Sequence, residues 1–396
     1  MAVDTTQAAR KKMTMATAQE NLYSYNVARR IFEVNTKDMG TIYNPYTSIP
    51  ATNVGTVTTP TYSIGTYAAD ADSLQVNLRA DASEHVNSYD WKSVGFGLIA
   101  DRGANYGRAI SQIIDRSALN SVVGNGGFAL GNGGTDGSTT PWTTSNTNID
   151  DVVNAVVQQI DANDGHGKKK FLVVSPYEAN DLRSFMQNNG QSVADKAIVN
   201  GIPFVGTTFS GVDIYQTNNI SSSAVLTIAT TPTDGDTVTI NGVVFTFKTT
   251  IGSTAGNVAI GGSADAARLN LSELINAPDT TDAGQVALSV ADQAKLASLS
   301  AVAVDAASPN TLTLTASGSL IVSETLTDAT DAWGSVSRYL IGGNYGAGYL
   351  ALPTQGMDYT EKEVSAKAGV ELYMEQFFNH TIWTRMVPQI GTVLVN

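Results

Sequence analysis

Apolar residues along the chain change period several times, and the changes mark its elements. Over about Ser93 to Val123 they fall at i, i+3 and i+4. Tyr106, Ile110, Ile113, Ile114, Val122 and Val123 predict one long amphipathic helix that ends in glycine. From about Asn148, Ile149, Val152, Val153, Val156, Val157 and Ile160 share one face of a second helix. The run Phe171-Leu172-Val173-Val174 then reads as a buried strand. Ser175-Pro176-Tyr177-Glu178 follows as an N-cap, a proline at the first helical position and a capping glutamate. The helix they open turns Leu182, Phe185 and Met186 inward. Ile198 to Val205 and Val212 to Tyr215 supply two short strands, so this stretch reads as a compact α+β core.

Residues 1–38 open with small polar residues and carry Tyr23, Val27 and Ile31 at helical spacing, which predicts a short amphipathic helix. Residues 39–89 switch to Thr, Tyr, Val, Pro and Gly. Pro45, Pro50 and Pro60 act as breakers, and Thr56-Val57-Thr58 and Leu74-Gln75-Val76-Asn77-Leu78 alternate. Long hairpin strands with irregular edges fit this pattern, and such a hairpin must lean on other structure. The glycines from Gly124 to Gly137 read as a flexible connector, because no phosphate-loop pattern accompanies them.

Between about Ala224 and Trp333 the character shifts again. Thr237 to Ile240 and Val243 to Phe247 flank Asn241-Gly242, a strong two-residue hairpin signal. Helices are expected over about Ala264 to Asn276 and Val290 to Ala306, and strands over Thr311 to Ala316 and Leu320 to Ser323. Eleven acidic and three basic residues (Lys248, Arg268, Lys295) give this stretch −8 of the chain's net −13, and its aromatics are only Phe245, Phe247 and Trp333. It reads as an autonomous insertion domain of ordinary size. Beyond Arg338, the stretches Leu340–Tyr345, Gly348–Leu352, Gly369–Phe378 and Ile382–Val395 read as strands that complete the interrupted core.

Composition narrows the function. A chain of 396 residues exceeds one compact core and implies about two or three domains. The net charge of −13 excludes a generally basic nucleic-acid binder, so any nucleic-acid contact is local. With no cysteine, disulfides, zinc thiolates and Cys nucleophiles are excluded. No run reaches the roughly 18 apolar residues of a membrane helix, and the first residues lack a secretory core, so a soluble protein made inside the cell is expected. Charged residues make up 15% of the chain, against a typical value near 25%, with Thr, Ser, Asn and Gly in their place. That exchange suits a protein whose surface faces other subunits, or one in which strands and turns dominate.

Candidate chemistry is thin. His85, His166 and His380 lie in three segments without carboxylates at ligand spacing, which points to polar or packing roles. Asp234-Gly235-Asp236 resembles the start of a calcium loop but lacks its later glutamate, and reads as a turn. Gly346-Ala347-Gly348 with Ala351 mimics a dinucleotide fingerprint without a βαβ unit, and reads as a close-packed strand corner. Lys168-Lys169-Lys170 reads as a solvated face before a strand. Arg10, Lys11, Lys12, Arg29 and Arg30, against Asp4 and Glu20, make residues 1–38 the one clearly basic arm. Such an arm either touches a neighbouring subunit or nucleic acid, or is simply solvated. No catalytic, metal or cofactor site is expected.

In its order of segments the chain resembles a tailed-phage major capsid protein of the Hong Kong 97 type. Leu74-Gln75-Val76-Asn77-Leu78-Arg79 through Asn87-Ser88-Tyr89-Asp90-Trp91 resembles that family's return strand running into its spine helix. Phe171 to Pro176, Leu182-Arg183, Asn200-Gly201-Ile202-Pro203 and Ile214-Tyr215 resemble its axial domain, and His380 to Gln389 is similar to its closing strand. The resemblance implies an α+β capsid fold. Its parts would be an N-terminal arm (1–38), an extended loop (39–89), a spine helix and peripheral connector (90–147) and an axial domain (148–223). A β-rich insertion (224–333) and a return to the axial and peripheral domains (334–396) would complete it. The insertion resembles small β-rich modules of phage virion proteins and is expected to project from the outer face.

The same resemblance implies self-assembly, as pentamers and hexamers, into an icosahedral shell around double-stranded DNA held by non-specific contact. A scaffold, portal or decoration protein would be a further partner. Arg10, Lys11, Lys12, Arg29, Arg30 and Arg79 would make assembly or lumen contacts. The protein would be made in the host cytoplasm and reside in the virion, without enzymatic activity, cofactor or membrane. No Lys lies between Lys37 and Lys92, so the lysine cross-link of some family members has no counterpart there. No long helical scaffolding segment opens the chain, so a separate scaffold or earlier processing is expected. The alternatives are a cellular nanocompartment shell of the same fold, a phage tail or adhesion protein, and an α/β enzyme.

Overall fold

The computed structural model describes residues 5–47, 69–87, 96–163, 165, 167–189, 198–199, 202–207, 211–303, 310–364 and 369–396. The chain runs through α1 (Thr5–Tyr25), α2 (Ala28–Ile31), β1 (Glu33–Asn35), β2 (Thr41–Thr47), β3 (Ala69–Gln75), β4 (Leu78–Asn87) and α3 (Phe96–Asn125). It continues with β5 (Phe128–Leu130), α4 (Ile149–Ala162), β6 (Lys170–Val174), α5 (Pro176–Asn188), β7 (Ile198–Val199), β8 (Ile202–Thr207), β9 (Val212–Gln216) and β10 (Ser222–Thr227). Next come β11 (Thr237–Ile240), β12 (Val243–Lys248), β13 (Asn257–Ala259), α6 (Ala264–Asn276), α7 (Val290–Leu296), β14 (Leu299–Ala303), β15 (Thr311–Ala316) and β16 (Val322–Thr325). The last elements are β17 (Ala332–Trp333), β18 (Ser337–Asn344), β19 (Gly348–Ala351), β20 (Met357–Val364), β21 (Gly369–Ile382) and β22 (Ile390–Val395). The fold is α+β. Two units form, residues 1–118 with 345–388 and residues 119–344 with 389–396.

In the first unit α1 lies against α3. The inward stripe of α3 repeats every four residues through Tyr106, Ile110, Ile114 and Ala118, all buried, whereas Ile113 is exposed. Gly103 and Gly107 continue that stripe. A Cβ on Gly103 would stand 2.8 Å from the Thr14 carbonyl oxygen, and one on Gly107 would overlap the Ala18 carbonyl. The two backbones therefore touch where only glycine fits. The expected single helix through Tyr23, Val27 and Ile31 is corrected: α1 stops at Tyr25 and α2 restarts at Ala28. The cause is Asp115, fully buried on α3, whose carboxylate accepts the Val27 and Ala28 amides at 2.9 Å each. It thereby satisfies donors that open α2.

β21 organises the sheet of this unit, pairing with β19 and β20 along one side and with β4 along the other. β1 adds to β19 in parallel. β2 and β3 form a separate antiparallel hairpin, from Thr41↔Gln75 to Thr47↔Ala69. The alternation Leu74 to Leu78, read as one strand, is split at Val76-Asn77, because β3 pairs with β2 while β4 leaves to pair with β21. Thr56-Val57-Thr58 lies outside the described residues.

The second unit carries an eleven-stranded sheet in the order β14-β15-β10-β18-β6-β9-β8-β7, with β22 on β18 and β5 on β22. β6 is a buried strand, and α4 covers the sheet with Ile149, Val152, Val153, Val156 and Ile160. The expected strand Ile198–Val205 is divided into β7 and β8, which pair with each other. The glycine connector is corrected too. It holds β5, with Phe128 and Leu130 buried, and Asp136 accepts the Ala129 amide. Lys168 and Lys169 are exposed just before β6, as expected; Lys168 bonds Gln389, Lys169 pairs with Asp213 at 2.5 Å, and the less exposed Lys170 pairs with Asp161 at 2.9 Å. Past β21 the chain turns at Trp383 and Pro388 before β22, so Ile382–Val395 is not one strand.

Residues from Ala224 to Val336 enclose a hydrophobic core of their own, between the β14-β15-β10 end of the large sheet and a second sheet, β13-β12-β11-β16. At the β11–β12 turn, Ile240 pairs with Val243 and both turn residues take positive φ (Asn241 49°, Gly242 76°), the geometry that a two-residue hairpin demands. The expected helix Val290–Ala306 ends early. Only α7 is helical, and Leu299–Ala303 alternates its side chains so that Ala301 is buried against β15 while Val302 is exposed. Tertiary pairing overrides the helix propensity of the alanines. Residues 304–306 lie outside the described residues.

This region joins the rest of the sheet through the pairs Ser222↔Arg338 and Ser223↔Ser337. Arg338 is locked there by Glu178, fully buried on α5, at 2.8 Å, and lies 4.7 Å from the Tyr177 ring. Ser175 caps α5 as expected by accepting the Tyr177 amide, but its hydroxyl also donates to Glu178. Glu178, read as a capping residue, is thus chiefly an ion-pair partner.

Two tests follow from this packing. Gly107→Ala should lower the thermal midpoint of the unassembled chain, since the clash with Ala18 outweighs the roughly 1 kcal/mol that alanine gains over glycine in a helix. Gly124→Ala, with open space at its Cβ, should raise it slightly. Arg338→Leu should cost about 3–5 kcal/mol by stranding the Glu178 carboxylate, and adding Glu178→Leu should recover much of that loss in denaturant titrations.

Candidate assembly surface

The exposed side of the β20-β21-β4 layer carries three carboxylates in one cross-strand row: Asp358 opposite Glu375, and Glu375 opposite Asp81. Like charges directly opposite one another repel, so the row needs counter-charge. Arg79, next to it on β4, lies 3.6 Å from both Asp81 and Glu375. Lys11, on α1, reaches Asp358 at 2.8 Å and holds that carboxyl below the usual carboxylate range. Both members of the Lys11–Asp358 pair are about half exposed, so it contributes at most about 1 kcal/mol.

The remaining basic candidates sit apart from the row. Lys12 is exposed on α1, and Arg10 lies on the same helix. Arg29 stacks 4.1 Å over the Tyr23 ring and donates to the Tyr23 carbonyl, and burial lowers its pKa. Arg30 is half-buried on α2. The structure therefore gives Lys11 and Arg79 a shared task, neutralising one acidic row, and leaves Arg10, Lys12, Arg29 and Arg30 on the two N-terminal helices. Sequence reasoning missed Asp81, Glu375 and Asp358. They are 277 or more positions apart where they cross from β4 to the last strands, and only the strand register joins them.

The hairpin β2–β3 is fastened at its base. Asp72 accepts the Thr384 amide and hydroxyl at 2.8 and 2.7 Å, Asn379 donates to the Gln75 carbonyl at 2.6 Å, and Leu74 packs with Tyr349, Ala351 and Trp383. Between those anchors Tyr43, opposite Ser73, is 69% exposed. A two-stranded ribbon with a bare aromatic has little core of its own.

The histidines are placed by packing. His85 stands opposite Glu371 on the exposed sheet side, and His166 lies outside the described residues. His380 is half-buried, and its Nε2 meets Ser117 Oγ at 2.8 Å. Among the described residues its Nδ1 has no hydrogen-bond partner, and no described carboxylate orients the Ser117–His380 pair. Burial pushes the ring down to about 4. Asp234-Gly235-Asp236 is a turn, with Asp234 accepting the Thr249 amide and Asp236 the Thr233 amide. Among the described residues no group of three or more His, Cys, Asp or Glu side chains could hold a metal ion, and no helix is long and apolar enough to cross a membrane.

Residues 86–249 match the family model described as phage capsid protein. No curated protein matches the chain in sequence. Among solved structures it is similar to one from Mycobacterium phage Che8, at 10% identity and a TM-score of 0.45, covering 91% of this chain and 85% of that one. It is similar to the asymmetric unit of the bacteriophage PhiM1 mature capsid, at 10% identity and a TM-score of 0.44, covering 94% and 87%. A virus-like particle from Pyrococcus furiosus is similar at 7% identity and a TM-score of 0.42, covering 97% and 98%. At these identities and TM-scores the likeness to each structure is distant.

His380 sets a pH dependence. Its folded-state value lies below its ordinary 6.5, so protonation favours the unfolded chain. The stability involved is fully present above about pH 6.5 and is lost as pH falls toward 4, a change on the order of 3 kcal/mol. Denaturant titrations between about pH 7 and 5, above the carboxylate range, should show the slope in the parent chain and a flatter one in His380→Gln.

Proposed function

We propose that this protein is the coat protein of an icosahedral, tailed-phage-type head, a structural protein rather than an enzyme, whose activity is self-assembly. The match of residues 86–249 to the phage capsid protein model carries the reading. The order of elements supports it: an N-terminal helical arm, a hairpin fastened at Asp72 and Leu74, a thirty-residue helix, an α+β layer and a β-rich module spliced into one strand pair. Copies assemble as pentamers and hexamers into a closed shell around double-stranded DNA, which the acidic chain touches non-specifically. The protein is made in the host cytoplasm and ends in the virion. A scaffold, portal or decoration protein completes the particle.

Physically, each contact between copies is modest, and closure of the shell multiplies it. The exposed hairpin supplies apolar surface for a neighbour to cover, with Tyr43 at its centre. Arg10, Lys11, Lys12, Arg29, Arg30 and Arg79 serve as assembly or lumen contacts, so that Lys11 and Arg79 exchange partners within the chain for partners outside it. Residues 224–333 project from the outer face as an insertion, since their core is closed within themselves.

The test is electron microscopy with light scattering of the protein expressed with and without its neighbouring genes. Closed icosahedral particles containing DNA are expected. Particles filled with protein instead would reassign it to a cellular compartment, and monomers or small oligomers under every condition would overturn the coat reading. In the same assay Tyr43→Ala should reduce particle yield severalfold while moving the stability of the unassembled chain by no more than about 0.5 kcal/mol. Replacing Arg10, Lys11 and Lys12 by Gln should impair assembly or DNA retention, and unchanged yield and packaging would remove those residues from the proposed contacts.

A further inference from the structure

Among the described residues β14 ends the large sheet: it pairs with β15 through Leu299↔Ala316, Ala301↔Leu314 and Ala303↔Leu312, and no described strand follows it in the sheet order. A terminal strand presents backbone donors and acceptors to any other strand that can reach them. Natural edges are commonly protected by lysine, proline or a bulge, yet β14 reads Leu-Ser-Ala-Val-Ala. Its surroundings are equally uncharged. Val302 (64% exposed), Thr313 and Val225 form one cross-strand row, and Ser300, Thr315 and Ser223 the next.

In antiparallel pairs the backbone groups of alternate residues face alternate edges. Ala301 shows which face outward here. Its N–H donates to Asn276 Oδ1 at 2.9 Å, and its carbonyl accepts from Asn276 Nδ2 at 2.7 Å. Ser272, one turn earlier on α6, donates to the same carbonyl at 3.1 Å. The Asn276 carboxamide thus makes the paired donor and acceptor bonds that a residue of a further strand would make. By the same alternation the amides of Leu299 and Ala303 lie on the guarded edge, one on each side of Ala301.

We infer that Asn276 is an edge guard, which occupies the centre of β14 as a one-residue strand and prevents a second copy of this chain from pairing with it edge to edge. The inference goes beyond the coat reading and does not depend on it, because it concerns any setting that crowds copies of the chain. Wherever copies are concentrated, an uncharged edge left open is a template for strand addition.

The experiment uses the full-length, unassembled protein, followed by light scattering and amyloid-dye binding across a concentration series. Asn276→Ala should aggregate into dye-binding material at a concentration at least tenfold lower than the parent. A second variant separates edge opening from lost stability: Asn276→Ala with Ala303→Pro also deletes an amide donor on the same edge, at a strand position where proline is tolerated. It should regain solubility without regaining the thermal midpoint. Aggregation of Asn276→Ala at the parent's concentration, or equal aggregation of the single and double variants, would overturn the inference. Neither readout requires shells to form, so failure here is distinct from failure of the coat reading.

Discussion

The larger unit is registered to one strand, β18, whose edges are both fully used. Along one edge runs β22, from Arg338↔Val395 to Gly343↔Ile390. The other edge is shared, with β6 on its second half and β10 on its first. Such a strand has no freedom to slip, because a one-residue shift would turn Leu340 to the wrong face and bring side chains to Gly342 and Gly343. Those glycines are required by space. Val156 of α4 fills the place of a Cβ on Gly342, and Ile390 and Gln389 crowd one on Gly343. Helix α4, the closing strand β22 and the β-rich module all take their positions from this packing.

Charge is used sparingly and locally. With 15% charged residues, the chain cannot solvate its surface as most globular proteins do. Much of its charge instead holds one element against another: Asp115 sets the break between α1 and α2, and Glu178 and Arg338 seal the neck of the inserted module. Lys169 and Lys170 tie β6 to β9 and α4. What remains exposed is rich in Thr, Ser, Gly and Asn. Such a surface gives up little hydration when it meets another copy, which suits association, and it demands explicit protection of strand edges, which Asn276 supplies.

Local signals were legible in the sequence, and long-range ones were not. The periodicity of α4, the Ser175-Pro176 start of α5 and the Asn241-Gly242 turn each depend on residues within one or two turns of chain, and each is found where its pattern placed it. The break in the N-terminal helix depends on Asp115, some ninety positions away; the one local sign of it is Asn26, whose Oδ1 accepts the Arg29 amide at 2.7 Å. The helix expected over Val290–Ala306 failed for a similar reason: the alanines of β14 favour a helix, and only the pairing with β15 and the capping by Asn276 make a strand. For the candidate surface, the basic residues could be found by inspection, but the acidic row they serve is assembled by the register of β4, β21 and β20. Gly103 and Gly107 stood in plain view at a four-residue spacing. Their meaning came only with the partner helix.

The splice point of the inserted module has a practical consequence. Its ends leave and rejoin the sheet at Ser223 and Ser337, which face each other across an antiparallel pair and so lie about 5 Å apart. Any foreign domain whose own termini meet at that spacing has a ready-made socket here, between two strands already held by Arg338 and Glu178. The position is a natural cassette site, where one module can be exchanged for another without redesigning the strands β10 and β18 that hold it.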